Sequence, residues 1–214
     1  SILSFIGDGS MRKVTALLMS GLLVATPGIA QTAPRPDQIA FRDLYKELVE
    51  TDTTLSSGSC TLAAERMAAR LKAAGFADDQ LTLFATPEHP REGGLVAVYP
   101  GTSKQAKPIL LIAHIDVVEA KREDWERDPF VMIEENGYFY GRGTADDKAQ
   151  AAVWVDTLIR FKQQGYKPRR TVKFALTCGE ESNGAFNGAE WLAANKRDLI
   201  DAAFALNEGG GGDS

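Results

Sequence analysis

Four short stretches of the chain carry side chains able to do chemistry, and each lies at the edge of a regular element. His114-Ile115-Asp116 comes directly after the apolar run Pro108 to Ala113. Asp146-Asp147 sits behind Gly141-Arg142-Gly143, at the start of a helical pattern. Glu180-Glu181 follows Thr171 to Cys178 and Gly179, and Glu208 follows Ala202 to Asn207. An imidazole and several carboxylates gathered at one rim repel one another unless a cation sits among them. Imidazole nitrogen with carboxylate oxygens suits zinc, at roughly 2.0–2.2 Å. In His-x-Asp on a strand, residues two apart point the same way, so Asp116 can hold the second nitrogen of His114. Neighbouring Glu180 and Glu181 cannot both aim at one atom from regular strand geometry. One can bind metal while the other handles a proton.

The surrounding pattern predicts how these stretches meet. Ile39, Phe41, Leu44, Leu48 and Val49 mark a first helix with Asp37 as its cap, and Leu62 to Ala74 marks a second, stopped by Gly75. Gln80 to Thr86 alternates like a strand with one wet face, while Gly94 to Tyr99 and Pro108 to Ala113 read as buried strands. Val131 to Glu134 and Tyr138 to Tyr140 flank a hairpin turn at Asn136-Gly137. A long helix over Ala145 to Gln164, a strand over Thr171 to Thr177, a helix over Ala189 to Asn195 and a strand over Ala202 to Leu206 complete the series. Strands alternating with helices predict an α/β fold, a mostly parallel sheet sandwiched by helices. Ligands of such sheets bind beyond the carboxyl ends of the strands. Three strands and one helix start would therefore deliver the histidine and the acids to one rim. Singly, each feature has a plain structural explanation: a core histidine, a helix cap, a solvated loop, a turn. Their joint order argues for a site.

Composition narrows the class. The chain has 214 residues, 44% hydrophobic and 25% charged, with 24 basic against 29 acidic residues and a net charge of −5. That acidic balance disfavours nucleic acid as a partner. No apolar run reaches the roughly 18 residues of a membrane span. Gly141-Arg142-Gly143 lacks the spacing of a phosphate loop. His89, in Pro87-Glu88-His89-Pro90, falls in a Pro-punctuated loop and is read as structural.

Met11-Arg12-Lys13, the apolar stretch Val14 to Thr26 and the small-residue exit Pro27-Gly28-Ile29-Ala30 form the parts of a secretory signal peptide. Residues 11–30 are therefore expected to be removed, with 1–10 an upstream extension and 31–214 the exported, periplasmic or secreted portion. Cys60 and Cys178 fall in that portion, where oxidation is permitted. One bridge and two buried thiols are both open readings, and neither cysteine has the CxxC spacing of a zinc or redox site.

At AHIDVV, YGRGTADDKAQ, CGEES and ALNEGG, in that order and at their approximate spacing, the chain resembles the co-catalytic zinc hydrolases. That family includes aminoacylase, glutamate carboxypeptidase, acetylornithine deacetylase and succinyl-diaminopimelate desuccinylase. The resemblance is detailed from His114 to Glu208 and general in layout before that. It implies that Asp146 bridges two zinc ions, that His114 and Glu208 complete one, and that Glu181 binds the other. It implies Glu180 as general base and Asp116 as the residue orienting His114. Two such ions roughly 3.5–4 Å apart would hold a bridging hydroxide and polarise the scissile carbonyl.

The family's second zinc also takes a histidine from a later segment, beyond an inserted lid or dimerisation domain. Residues 31–214 are accordingly expected to be the first part of a zinc-exopeptidase-like catalytic domain, inactive alone. The function implied is an exported metallopeptidase or amidohydrolase, of carboxypeptidase, dipeptidase or aminoacylase type, with a small peptide or N-acyl amino acid as substrate. A homodimer formed through a domain outside this chain is compatible with the same resemblance. The competing readings are a non-catalytic binding or structural domain on this scaffold, and a hydrolase using one zinc.

Overall fold

A computed structural model of the chain describes residues 33–182 and 186–208. The leader expected over residues 11–30, the extension ahead of it and the glycine run after Glu208 lie outside the described residues. Helix α1 (Pro36–Glu50) begins with proline, whose missing N–H costs nothing in a first turn. Its cap position is Arg35, not Asp37. The Gln38 side chain accepts from the Arg35 N–H at 2.9 Å, and Asp37 instead pairs with Arg35 and Arg160. Leu44, Tyr45, Leu48 and Val49 form the buried stripe. Helix α2 (Cys60–Ala73) is capped by Ser59, whose hydroxyl accepts from Leu62 N–H at 3.1 Å. It buries Ala63, Ala64, Met67, Ala68 and Leu71, and ends as expected at Gly75, with φ +100°.

The main sheet contains β1 (Leu81–Thr86), β2 (His89–Tyr99), β3 (Ile109–His114), β6 (Val172–Thr177) and β7 (Ala205–Leu206), in the order β1-β2-β6-β3-β7. A separate hairpin, β4 (Ile133–Glu135) and β5 (Tyr138–Tyr140), turns at Asn136-Gly137, both with positive φ. Helix α3 (Lys148–Gln163) crosses from that hairpin to β6, and α4 (Gly188–Asn195) with the short α5 (Arg197–Ile200) leads to β7. The α/β architecture is the expected one. Its strands run parallel where β6, β3 and β7 adjoin, and antiparallel where β1 and β2 extend the sheet as a hairpin.

Alternation along the strands separates two apolar layers. Leu111, Ala113, Phe174 and Leu176 face a core shared with α1, α2 and α3. Leu110 and Ala175 face the other side, with Phe84, Val96 and Leu192 of α4. Each fully buried Leu or Phe contributes about 1.5–3 kcal/mol relative to an exposed one. This double-sided burial holds β3 and β6 in fixed register, His114 opposite Thr177. Their carboxyl ends therefore open at the same level.

Gly179 makes the turn out of β6. Its φ is +91°, and a Cβ there would lie 1.7 Å from the Phe186 carbonyl oxygen. The loop between closes through Gly188 N–H to the Cys178 oxygen at 2.8 Å. Gly179→Ala is expected to cost at least the roughly 1–3 kcal/mol of an unfavourable backbone region, with the clash in addition. A thermal melt should show a midpoint several degrees lower; an unchanged midpoint would mean that the turn has an alternative path.

Candidate metal centre

Three parallel strand ends and one helix approach converge on the imidazole of His114. The residue closes β3, the central strand of the parallel part, so β6 and β7 flank it. Its side chain is buried, with Nε2 facing the rim. Asp146 Oδ1 lies 2.9 Å from Nε2, Glu208 Oε2 at 3.4 Å and Glu180 Oε2 at 4.0 Å. Ligand-capable atoms of His114, Asp146 and Glu181 lie within 4.8 Å of one another, and so do those of His114, Asp147 and Glu208. All the acids singled out on the rim in the sequence thus meet in one place.

Behind the imidazole sits Asp116, as expected, but with a different nearest contact. The main-chain oxygen of Asp116 comes closest to Nδ1, at 3.1 Å, with Oδ1 at 3.5 Å. Oδ2 accepts from the Glu181 N–H at 2.9 Å. Asp116 therefore ties the histidine to the acidic turn. Burial opposes its ionisation, but the adjacent His114 ring and the bond from the Glu181 N–H hold its carboxyl below the usual range.

Asp146 and Asp147 do not open α3 as the pattern predicts. The helix starts at Lys148, Asp147 occupies the cap position without a capping hydrogen bond, and the peptide joining the two acids is cis. The approach is fixed from elsewhere: Tyr45 of α1 donates its hydroxyl to the Thr144 oxygen. Asp146 consequently stays at the open rim, 64% exposed, while Asp147 is buried. The sequence treats these neighbours alike; only their surroundings separate them. Lys148 is the other residue that periodicity missed. Its side chain is fully buried and its ammonium donates to the Thr51 oxygen at 2.8 Å, in the loop after α1. Burial pushes it down to about 7, against the pull of Asp52 and Asp116. A lysine one residue inside an apolar helix face was the available signal.

The electrostatics of the rim demand a positive charge. Burial would depress His114, but Asp116, Asp146 and Glu208 overcome it and push the imidazole up to about 10. Burial, with Glu208 and Asp146 adding to it against His114, pushes Asp147 up to about 6. Glu181 and Glu208 are raised too, first by burial and then by neighbouring carboxylates that include Asp146. The buried Oδ2 of Asp147 has no hydrogen-bond partner among the described residues. One imidazolium is a poor answer to that many acids. A divalent cation answers both the charge and the orphaned oxygen, and the donor set of one imidazole with carboxylate oxygens fits one.

His89 lies apart from these groups, as expected. It begins β2, bonds Glu92 at 3.0 Å and stacks on Phe186. The two cysteines, left open by the sequence, form a disulfide between α2 and the end of β6.

The family model of "Peptidase family M20/M25/M40" matches residues 110–214. Human N-fatty-acyl-amino acid synthase/hydrolase PM20D1 is 31% identical over 178 residues, covering 82% of this chain and 35% of the relative. Over residues 110–214 the chain matches peptidase family M20. Another relative, mouse aminoacylase-1, is 32% identical over 115 residues, 53% of this chain and 28% of its own length. An M20 family metallo-carboxypeptidase from Sulfolobus solfataricus shares the fold, with a TM-score of 0.65 at 22% identity over 80% of this chain and 37% of that one. The chain thus spans about a third of the length of these relatives. The matched family region takes in β3, α3, β6 and β7, the elements that carry the whole convergence on His114.

Proposed function

We propose that this chain carries the metal centre of a zinc-dependent hydrolase that cleaves an amide bond in a small peptide or N-acyl amino acid. The observation that carries the reading is the meeting of Asp146, Glu180, Glu181 and Glu208 around one buried imidazole at the carboxyl ends of parallel strands. His114, Asp146, Glu181 and Glu208 would hold the ions, Asp146 between two of them. When bound, the pair would supply Lewis acidity to the scissile carbonyl and acidify the attacking water.

The protein's own groups do the rest. Asp116 fixes the ring of His114 so that Nε2 faces the rim. Glu180 lies on the same rim without taking part in either candidate ligand group, and its half-exposed carboxylate can reach a substrate. It takes a proton from the attacking water and delivers it to the departing amine as the C–O bond forms and the C–N bond breaks. The names of two relatives, an N-fatty-acyl-amino acid synthase/hydrolase and an aminoacylase, support this substrate class. The leader-like residues 11–30 and the disulfide support an exported protein working in an oxidising compartment. No helix among the described residues is long and apolar enough to cross a membrane.

The test is reconstitution of the full-length protein after chelation. Hydrolysis of N-acyl amino acids or dipeptides should vanish with the metal and return with two equivalents of zinc. Metal-independent hydrolysis, or none with zinc restored, would overturn the reading. Binding should also be linked to protons. The metal-free imidazole keeps its proton below about pH 10 and must release it to bind an ion. Apparent zinc affinity should therefore climb by about tenfold per pH unit between pH 7 and 9, which calorimetry in buffers of different ionisation enthalpy would register.

A further inference from the structure

The Cys60–Cys178 bridge joins the first residue of α2 to the residue after β6, across 118 positions of sequence. Glu180 and Glu181 follow Cys178 with only Gly179 between. The other end is firm: Cys60 is buried at a helix start capped by Ser59. Both sulfurs lie beside Asp116, with a sulfur of each cysteine and one Asp116 oxygen within 4.8 Å of one another. Asp116 in turn receives the Glu181 N–H and stands behind His114 Nδ1. Its buried Oδ1 has no hydrogen-bond partner among the described residues. A small cleft lined by both cysteines, Asp116, Arg91, Gly179 and Ser182 borders the bridge.

We infer that this disulfide is a clamp that holds Asp116 and the Glu180-Glu181 turn in metal-binding register, so that reducing it weakens the centre's hold on its ion. The role rests on the metal-centre reading above. An external dithiol supplies the chemistry: one thiolate attacks a sulfur of the bridge to give a mixed disulfide, and the second displaces it. Two electrons pass to the protein, the reagent closes as its own disulfide, and both cysteines end as protonated thiols. Two thiols cannot stay at the bonding distance of a disulfide, so one of them must move. Cys60 is held by its helix, so the displacement falls on Cys178 and the glycine after it. A new S–H also offers the orphaned Asp116 oxygen a donor, drawing it from its place behind His114.

Metal-free full-length protein, oxidised or reduced with dithiothreitol and desalted without air, would be titrated with zinc by calorimetry. Removing a group behind a metal ligand commonly weakens binding by about 10- to 100-fold, and reduction should do the same, with far-UV circular dichroism unchanged and affinity restored on reoxidation. A Cys60→Ala/Cys178→Ala variant should bind like the reduced form under both conditions. If that variant fails to fold, the reversible redox cycle of the unaltered protein decides alone. Equal affinity in the two forms would overturn the clamp and leave the metal centre standing. Loss of the far-UV signal on reduction would overturn it in favour of a brace for the whole fold. No binding in either form would sink the metal-centre reading, and the clamp with it.

Discussion

Glu180→Gln is expected to leave metal content unchanged and to lower kcat by about 100- to 10,000-fold, the usual contribution of a positioned acid–base group. Glutamine keeps the size and polarity of the side chain but cannot accept and return a proton. The separation of effects follows from the rim. Glu181 belongs to a candidate ligand group with His114 and Asp146, whereas Glu180 stands 4.0 Å from Nε2 and outside both groups. Its main chain is untouched, and the bond from Glu181 N–H to Asp116 should persist. Metal analysis alongside steady-state kinetics checks both halves. Retained turnover would remove Glu180 as the base; lost metal would make it a ligand.

Asp146→Ala should have the larger effect on the metal itself, lowering occupancy at both positions. Its Oδ1 is the acid nearest to the imidazole Nε2, at 2.9 Å. After burial, its charge is among those that raise Glu181, and it acts likewise on Glu208, the two acids that would complete separate ions. Losing a shared ligand should weaken binding by more than the roughly 10- to 100-fold that follows loss of a supporting residue. Two zinc equivalents should fall toward none in the purified protein, with turnover gone. Loss at one position alone would show that Asp146 does not bridge.

Proton linkage separates this change from plain destabilisation. The metal-free wild type gains stability from a protonated His114, fully present below about pH 6.5 and lost as pH rises through about 10. Removing Asp146 takes away one of the charges behind that shift. The variant should therefore lose this pH-dependent stability at a lower pH than the wild type, measurable by melting the metal-free proteins.

Much of this site could be read before folding was considered. His114, Glu180, Glu181 and Glu208 each follow a strand pattern, and the carboxyl ends of adjacent parallel strands share a rim, so local order alone predicted the meeting. The helices α1 and α2 were legible because their apolar spacing is long and regular. Other features were legible only in part. Asp146 and Asp147 look like a helix cap by composition, yet α3 begins after them, because Tyr45 and the turn at Gly143 set the approach. Lys148 looks like any lysine in a helix until α1 and its following loop close over it. The antiparallel edge of the sheet depends on which strand β2 chooses as its second partner.

Periodicity along the chain determined which residues stand at strand ends, and hence which acids and which imidazole could meet. Tertiary structure alone decided that Cys60 meets Cys178, that the nearest oxygen behind His114 belongs to the Asp116 main chain, and that one acid of the Asp146-Asp147 pair is buried while its neighbour stays open. The physical reason is range. Side-chain pattern reports the local environment of a residue, whereas pairing and desolvation are set by segments far away in sequence that pack against it.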